Sequence, residues 1–461
     1  MAAAMRRDGM GHLQGPPRNR GPRRTSARQH RQDSAGRIAS PRRIVGEPRP
    51  LLRAAVEFIN AANGLRPLAR KGYATVVVFW FGWPTSEVPG LYAAASLLDA
   101  LRRGRRGDFA RPRGKAALAL TAASWAILGV IRYRGVTTPG PVLEAGLREQ
   151  LGPDYAEAMA SLPLTAPERR GRRNLPLRTT VARRRFVEKS NIVSYGPHRR
   201  ANLADIWRRR DLPSDGKAPV LVQVPGGAWV IGWRRPQAYP LMSHLVSRGW
   251  VCVSLNYRVS PLHTWPDHIV DVKRGLAWVK ENIAAYGGDP DFVAISGGSA
   301  GGHLAALAAL TAGDPKFQPG FEEADTSVVA AVPIYGRYDW FSIDGEGRRE
   351  FVGLLEKFVV KKKFSTHRDV YVDASPIREV RADAPPFFVL HGTDDSLIPV
   401  VEAQEFVDQL RAVSKSPVAY AELPHAQHGF DIFGSPRAHQ SAEAIARFLS
   451  WAYATTYLNR D

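Results

Sequence analysis

Three short runs hold the residue types that nucleophilic catalysis needs: Gly297-Gly298-Ser299-Ala300-Gly301, His391-Gly392-Thr393-Asp394-Asp395 and Pro424-His425-Ala426-Gln427-His428. The first is a Gly-x-Ser-x-Gly run. A serine hydroxyl that attacks a carbonyl must stand clear on a sharp turn, where side chains two positions to either side would collide with the backbone. An apolar run, Phe292–Ser296, precedes it and a helix-forming run, Gly301–Thr311, follows. The helix would direct its first N–H groups towards a developing oxyanion. A glycine-rich turn with an incidental serine is the plain alternative, and the strand–turn–helix context argues against it. No Gly-Lys-Ser/Thr follows, which excludes a phosphate loop.

Serine is a poor nucleophile near neutral pH, so a base and an orienting acid should follow in the order Ser, Asp, His. Both other runs come directly after apolar strands, Phe387–Leu390 and Val418–Leu423, and each holds a decoy. Asp394 and Asp395 are adjacent, so their side chains point apart and only one can orient the base. His425 and His428 cannot both face Ser299. His428 is favoured, because Gly429 allows close backbone approach and Phe430 can anchor the loop, leaving His425 to a loop hydrogen bond. Tetrahedral intermediates also need N–H donors, each worth about 10²–10³ in rate. Ala300 should supply one, and the run Pro225-Gly226-Gly227-Ala228-Trp229 after an earlier strand should supply the rest.

The elements that would position these runs begin near residue 186. Ala201–Arg208, Ala218–Val224, Trp250–Tyr257 and Val328–Ile334 read as further strands, and Tyr239–Arg248 and His268–Tyr286 as helices. Short apolar strands separated by helices indicate βαβ units and a mostly parallel sheet covered on both faces. Four zones result: a disordered Arg-rich tail (1–50), an apolar helical region (51–135), a helix and Pro/Arg-rich linker (136–180) with Pro163, Pro167 and Pro176, and the α/β domain (181–461).

The net charge of +21 is concentrated in front. Residues 1–50 hold twelve Arg against Asp8, Asp33 and Glu47, in a segment too poor in apolar residues to fold by itself. Such a tail favours anionic surfaces. The second zone has two apolar stretches, Tyr73–Leu98, interrupted by Pro84, Glu87 and Pro89, and Ala116–Ile131. The loop between them carries Arg102, Arg103, Arg105, Arg106, Arg111, Arg113 and Lys115, and the tail is basic too. Two spans would therefore put basic segments on both sides of the membrane, against the positive-inside rule. A helical hairpin dipping into the membrane interface is the expectation; a small helical domain over the mouth of the α/β domain is the alternative. No apolar leader segment opens the first thirty residues, so no secretory signal is expected, and the chain should be membrane-associated or cytoplasmic. Cys252, the only cysteine, sits in an apolar run and should pack rather than react. The cluster Lys357, Lys361, Lys362 and Lys363 reads as a solvated face, and His303 as a packing residue beneath the site. No metal site or cofactor is expected.

Residues ~185–455 resemble the hormone-sensitive-lipase-like and related carboxylesterase branch of the α/β hydrolases. The resemblance rests on Gly-Gly-Ala-Trp at 226–229, on Tyr257-Arg258-Val259-Ser260-Pro261, on Gly287–Pro290, and on the three runs above. The whole chain, with its helical front end, resembles predicted esterases and lipases of actinobacteria. The resemblance implies an α/β-hydrolase fold and selects Asp395 over Asp394 as the acid, with His428 as the base. It implies Gly227, Ala228 and Ala300 as the oxyanion donors. Pro225 stands where the family has a loop-bracing histidine, and Ala228 where it has a glycine. The implied activity is hydrolysis of small-molecule or lipid esters through an acyl-enzyme, without cofactor. Two other readings compete. A non-catalytic protein could use the basic front end on membrane or, less in keeping with an intact triad, on nucleic acid. A serine peptidase of the same fold should carry a large extra domain, and residues 1–180 lack the strand pattern for one.

Overall fold

The computed structural model describes residues 50–70, 72–158, 183–342 and 348–456. The Arg-rich tail (all but Pro50) and the proline-marked linker with Pro163, Pro167 and Pro176 lie outside the described residues.

The α/β domain is an eight-stranded sheet in the order β1-β2-β4-β3-β5-β6-β7-β8. The strands are β1 (Ile192–Ser194), β2 (Leu203–Trp207), β3 (Ala218–Val224), β4 (Val251–Leu255), β5 (Gly288–Gly298), β6 (Ala330–Ile334), β7 (Phe387–Gly392) and β8 (Val418–Leu423). From β4 across to β8 every pairing is parallel; β1 and β2 run antiparallel at one edge. All seven residues of β3 are buried, with Val220, Val222 and Val224 in the core on one face and Leu221 in the core on the other. That is why the strand reads as a near-continuous apolar run, broken only by Gln223, rather than an alternating one. Helices α8 (Asp267–Asn282), α9 (Ala300–Leu310) and α12 (Val401–Val413) cover the first face. Helices α5 (Pro139–Leu151), α7 (Tyr239–Val246) and α13 (Pro436–Thr456) cover the second. Between β6 and β7, α10 (Arg348–Leu354), a π-helical turn and α11 (Arg368–Asp373) lie over the first face. The mostly parallel sheet between helical layers is the expected α/β-hydrolase architecture.

The front end is a four-helix assembly: α1 (Pro50–Leu65), α2 (Ala74–Glu87), α3 (Pro89–Arg105) and α4 (Pro112–Thr137). Helix α4 packs on the other three, and α1 also packs on α2. This differs from a two-helix hairpin. Helix α2 runs through Pro84, and the break comes at Val88, because Pro89 at the first position of α3 lacks the N–H to extend the preceding helix. Helix α1 supplies the main partner surface for α4 and lacks a comparable unbroken apolar run.

The helices are assembled inside out. Most of their buried positions are small or polar, among them Ala54, Ala61, Asn63, Thr85, Ser96 and Ser124, with Phe79, Leu128 and Ile131 the large apolar exceptions. Asn63 Nδ2 donates to Val78 O at 2.8 Å and Trp125 Nε1 to Ser96 Oγ at 2.9 Å. Large apolar residues, Leu52, Val56, Ile59, Val77, Trp80 and Phe81, lie on the outside. Water would favour the reverse arrangement, whereas helices packed in lipid use small and hydrogen-bonding residues at their contacts. The helical stretch Pro112–Leu151 is long and apolar enough to cross a membrane by length and composition.

The front end is stitched to the α/β domain. Trp83 Nε1 donates to Gly429 O at 2.8 Å, and Arg70 Nη2 to Asp394 Oδ1 at 2.5 Å. The carboxylate of Glu87, at the end of α2, is buried with Arg437 and accepts from Ser435 Oγ at 2.8 Å. Burial pushes the Glu87 carboxyl up, against the opposing pull of Arg437 and Ser435.

Candidate active site

Ser299 stands at the hinge between β5 and α9. Every residue from Phe292 to Leu310 is buried except Ser299, which is partly exposed. Its φ of 58° and ψ of −123° are a strained conformation for a residue with a side chain. The turn is as crowded as the Gly-x-Ser-x-Gly pattern implies. A Cβ on Gly297 would meet the carbonyls of Gly301 and Val224, and one on Gly301 the carbonyls of Val224 and Pro225. Among the described residues Ser299 Oγ has no hydrogen-bond partner; such bonds often tighten only once substrate is bound.

The loops after β7 and β8 bring the aspartate and histidine runs together and sort each pair. His428 Nδ1 donates to Asp395 Oδ2 at 2.6 Å, with both side chains buried. The other oxygen of Asp395 accepts from Leu397 N at 2.9 Å and Ile398 N at 2.8 Å, which fixes the carboxylate's orientation. Burial opposes ionisation of Asp395, but His428, His391 and the Ile398 amide outweigh it, and the group stays below the ordinary aspartate value. Asp394 turns the other way, to Arg70 and to His425 Nδ1 at 3.4 Å. His425 also uses its own N–H, on Thr393 Oγ1 at 2.8 Å.

The turn after β3 lies against the serine turn, since a Cβ on Gly226 would fall 3.0 Å from Ser299 Cβ. Gly227, Ala228 and Trp229 all have positive φ. Val230 N and Ile231 N donate to Gly227 O at 3.0 and 2.8 Å, closing the turn. Pro225 cannot brace it as a histidine would. Gln237 does so instead: Gly226 N donates to its Oε1 at 2.7 Å, and its Nε2 donates back to Gly226 O at 3.0 Å. Tyr257 OH adds a bond to Pro225 O at 3.0 Å.

Several residues around His428 carry no motif. The Tyr335 ring lies 4.5 Å from the imidazole, and its hydroxyl donates to the buried Asp431 carboxylate. Burial raises the Asp431 carboxyl against the pull of that hydroxyl. Gln427 Oε1 accepts from His428 N and Ser396 N, each at 2.8 Å, tying the base loop to the acid loop. Phe79 of α2 meets the imidazole edge-on at 5.8 Å and stacks on Trp83 at 5.1 Å. A helix from the front end therefore walls His428, and only the aromatic cluster Phe79-Trp80-Phe81 with Trp83 hinted at it.

His303 is fully buried, with Trp229 Nε1 donating to its Nδ1 at 3.1 Å and Ala374 O 2.7 Å from its Nε2, so it packs beneath the turn after β3. Cys252 is buried in β4, and burial raises its thiol far out of the reactive range. Among the described residues no group of three or more His, Cys, Asp or Glu is placed to hold a metal.

A family model described as BD-FAE matches residues 206–410. The chain is 49% identical to the probable carboxylic ester hydrolase LipM of Mycobacterium tuberculosis, over 89% of this chain and 95% of that protein. It is 50% identical to esterase LipQ of the same organism, over 84% of this chain and 87% of that protein. Among solved structures, a butyrate-bound esterase of Thermogutta terrifontis aligns with a TM-score of 0.49 at 24% identity, covering 57% of this chain and 93% of that one.

Proposed function

The chain belongs to the family of carboxylic ester hydrolases that includes LipM and LipQ, and on that premise we propose that it hydrolyses carboxylic esters through an acyl-enzyme on Ser299. The observation that carries the assignment is the 2.6 Å bond between His428 and a buried, ionised Asp395, in loops flanking a strained, partly exposed serine. In the tautomer that gives its Nδ1 proton to Asp395, His428 keeps the Nε2 lone pair for the serine proton. Attack on the ester carbonyl then forms a tetrahedral oxyanion, received by the N–H groups of Gly227, Ala228 and Ala300. His428 returns the proton to the departing alcohol. Water, activated by the same nitrogen, releases the acid. Throughout, Asp395 holds the imidazole in position and stabilises its charged form.

The test is hydrolysis of p-nitrophenyl esters of rising acyl length by the full chain and by Ser299→Ala. The variant should lose more than about 10³ in kcat while keeping its fold. Activity that survives the substitution would remove Ser299 from the mechanism.

The same reading extends to location. Residues 51–135 are proposed to contact a membrane, supported by the inside-out packing of α1–α4 and by the basic flank Arg102, Arg105, Arg106, Arg111, Arg113 and Lys115. Flotation of the full chain with phospholipid vesicles tests this directly. Protein that stays at the bottom of the gradient would refute it.

A further inference from the structure

We propose that the rim of the active site on its oxyanion side is a second lipid-docking surface, which seats the mouth on an anionic bilayer so that the ester is taken from the lipid phase. This rests on the membrane contact proposed above and adds a surface outside residues 51–135. Exposed large apolar side chains are few in the α/β domain, and four of them gather here: Ile231 at 54% exposure, Trp233 at 68%, Leu262 at 88% and Phe358 at 39%. They come from three segments joined into one surface. Ser260 N donates to Trp229 O at 2.9 Å, Trp265 N to Val359 O at 2.9 Å, and Lys361 Nζ to Pro261 O at 2.7 Å. The surface belongs to the catalytic turn, since Ile231 N closes that turn onto Gly227 O.

Charge selects the occupant. Lys357, Lys361, Lys362 and Lys363 are exposed along the same rim, with the Lys357 ammonium 5.2 Å from the Phe358 ring. Apolar side chains set among lysines match an anionic headgroup layer over acyl chains, with an exposed tryptophan at the boundary. A second copy is disfavoured, because the chain carries +21 and would bring lysines against lysines. In the strand order β3 lies on one side of β5, and β6 to β8 on the other. The rim therefore stands on one flank of Ser299, and α2, with exposed Trp80 and Phe81, on the other beside His428. Exposed apolar side chains thus stand on both flanks.

The test uses the full chain, mixed phosphatidylcholine–phosphatidylglycerol vesicles, and two variants, Trp233→Ser/Leu262→Ser and Lys357→Glu/Lys362→Glu/Lys363→Glu. Each variant should bind the vesicles at least about tenfold more weakly than wild type. Each should hydrolyse water-soluble p-nitrophenyl acetate as wild type does, and turn over a long-chain ester dissolved in the vesicles more slowly, in step with binding. Wild-type binding in both variants overturns the proposal while leaving membrane contact through 51–135 in place. A wild type that does not bind overturns both, and its activity on the soluble ester still reports on the triad separately. Self-association of wild type that the variants abolish would assign the rim to a second copy and overturn the lipid proposal.

Discussion

Asp394 and His425, each next to a catalytic candidate, pair with one another at 3.4 Å, while Asp395 and His428 pair at 2.6 Å. Two adjacent aspartates and two nearby histidines thus resolve into a buried pair, Asp395 with His428, and a more exposed pair that meets Arg70 through Asp394. Asp395→Asn should lower kcat by about 10⁴, since the amide would favour the wrong imidazole tautomer. Asp394→Asn should stay within a few-fold of wild type. Steady-state kinetics on a soluble ester separates the two; equal losses would undo the assignment.

Gln237 braces the turn after β3, the proposed oxyanion turn, which Pro225 cannot do. Gln237→Met, close in size, removes both bonds and leaves the Gly226 amide and carbonyl without that partner. We expect kcat to fall by about tenfold or more with little change in KM, because the turn's N–H groups act on the transition state rather than on bound ester. A KM effect at constant kcat would point to substrate binding instead.

Glu87 and Arg437 form a buried ion pair between α2 and α13. Glu87→Ala leaves the Arg437 charge buried without its partner and should cost about 3–5 kcal/mol of stability. The double substitution Glu87→Leu/Arg437→Met should recover most of that loss. Urea unfolding of wild type, Glu87→Leu, Arg437→Met and the double variant gives the coupling directly, and additive losses would show that the pair does not act as a unit.

His268 and His303 are buried, and burial is the main cause holding each imidazole down to about 3. Unfolded, each takes a proton near 6.5. Their contribution to stability is therefore complete above pH 6.5 and is lost as pH falls towards about 3. At one unit per 1.36 kcal/mol, acidification to about pH 5 should cost up to about 2 kcal/mol for each. Comparing urea stabilities of wild type and His268→Phe isolates one of them, because the other titrating groups are common to both. The variant should lose less stability than wild type over that interval; parallel pH profiles would refute the assignment.

The parallel strands were legible because burial on both faces leaves a near-continuous apolar run, as in Ala218–Val224, broken only by Gln223; its bounds and those of Val418–Leu423 match the observed strands. The serine turn was legible because its crowding admits only glycine two positions either side. Residue types alone could not choose between Asp394 and Asp395, since adjacency says only that they point apart; family resemblance made that choice. Gln237 left no trace, because its role depends on a loop folding back across eleven residues to Gly226. Strand β1 has three residues, too few to show a period. Glu87 read as a polar interruption of an apolar stretch. Its meaning lies 350 positions away at Arg437, a distance over which local pattern carries no information.

The family model's match stops at residue 410, short of His428, and starts well after α2. A chain shortened to residues 181–461 would keep all three proposed catalytic side chains. Yet it would strand the Arg437 charge in a cavity once filled by Glu87, uncover the Gly429 carbonyl and strip the aromatic wall from the imidazole. The α/β domain therefore relies on the helices in front of it for part of its packing. Its base loop is finished by the helices in front of it, so evolutionary loss or exchange of those helices would have to be matched by changes at Gly429, Ser435 and Arg437.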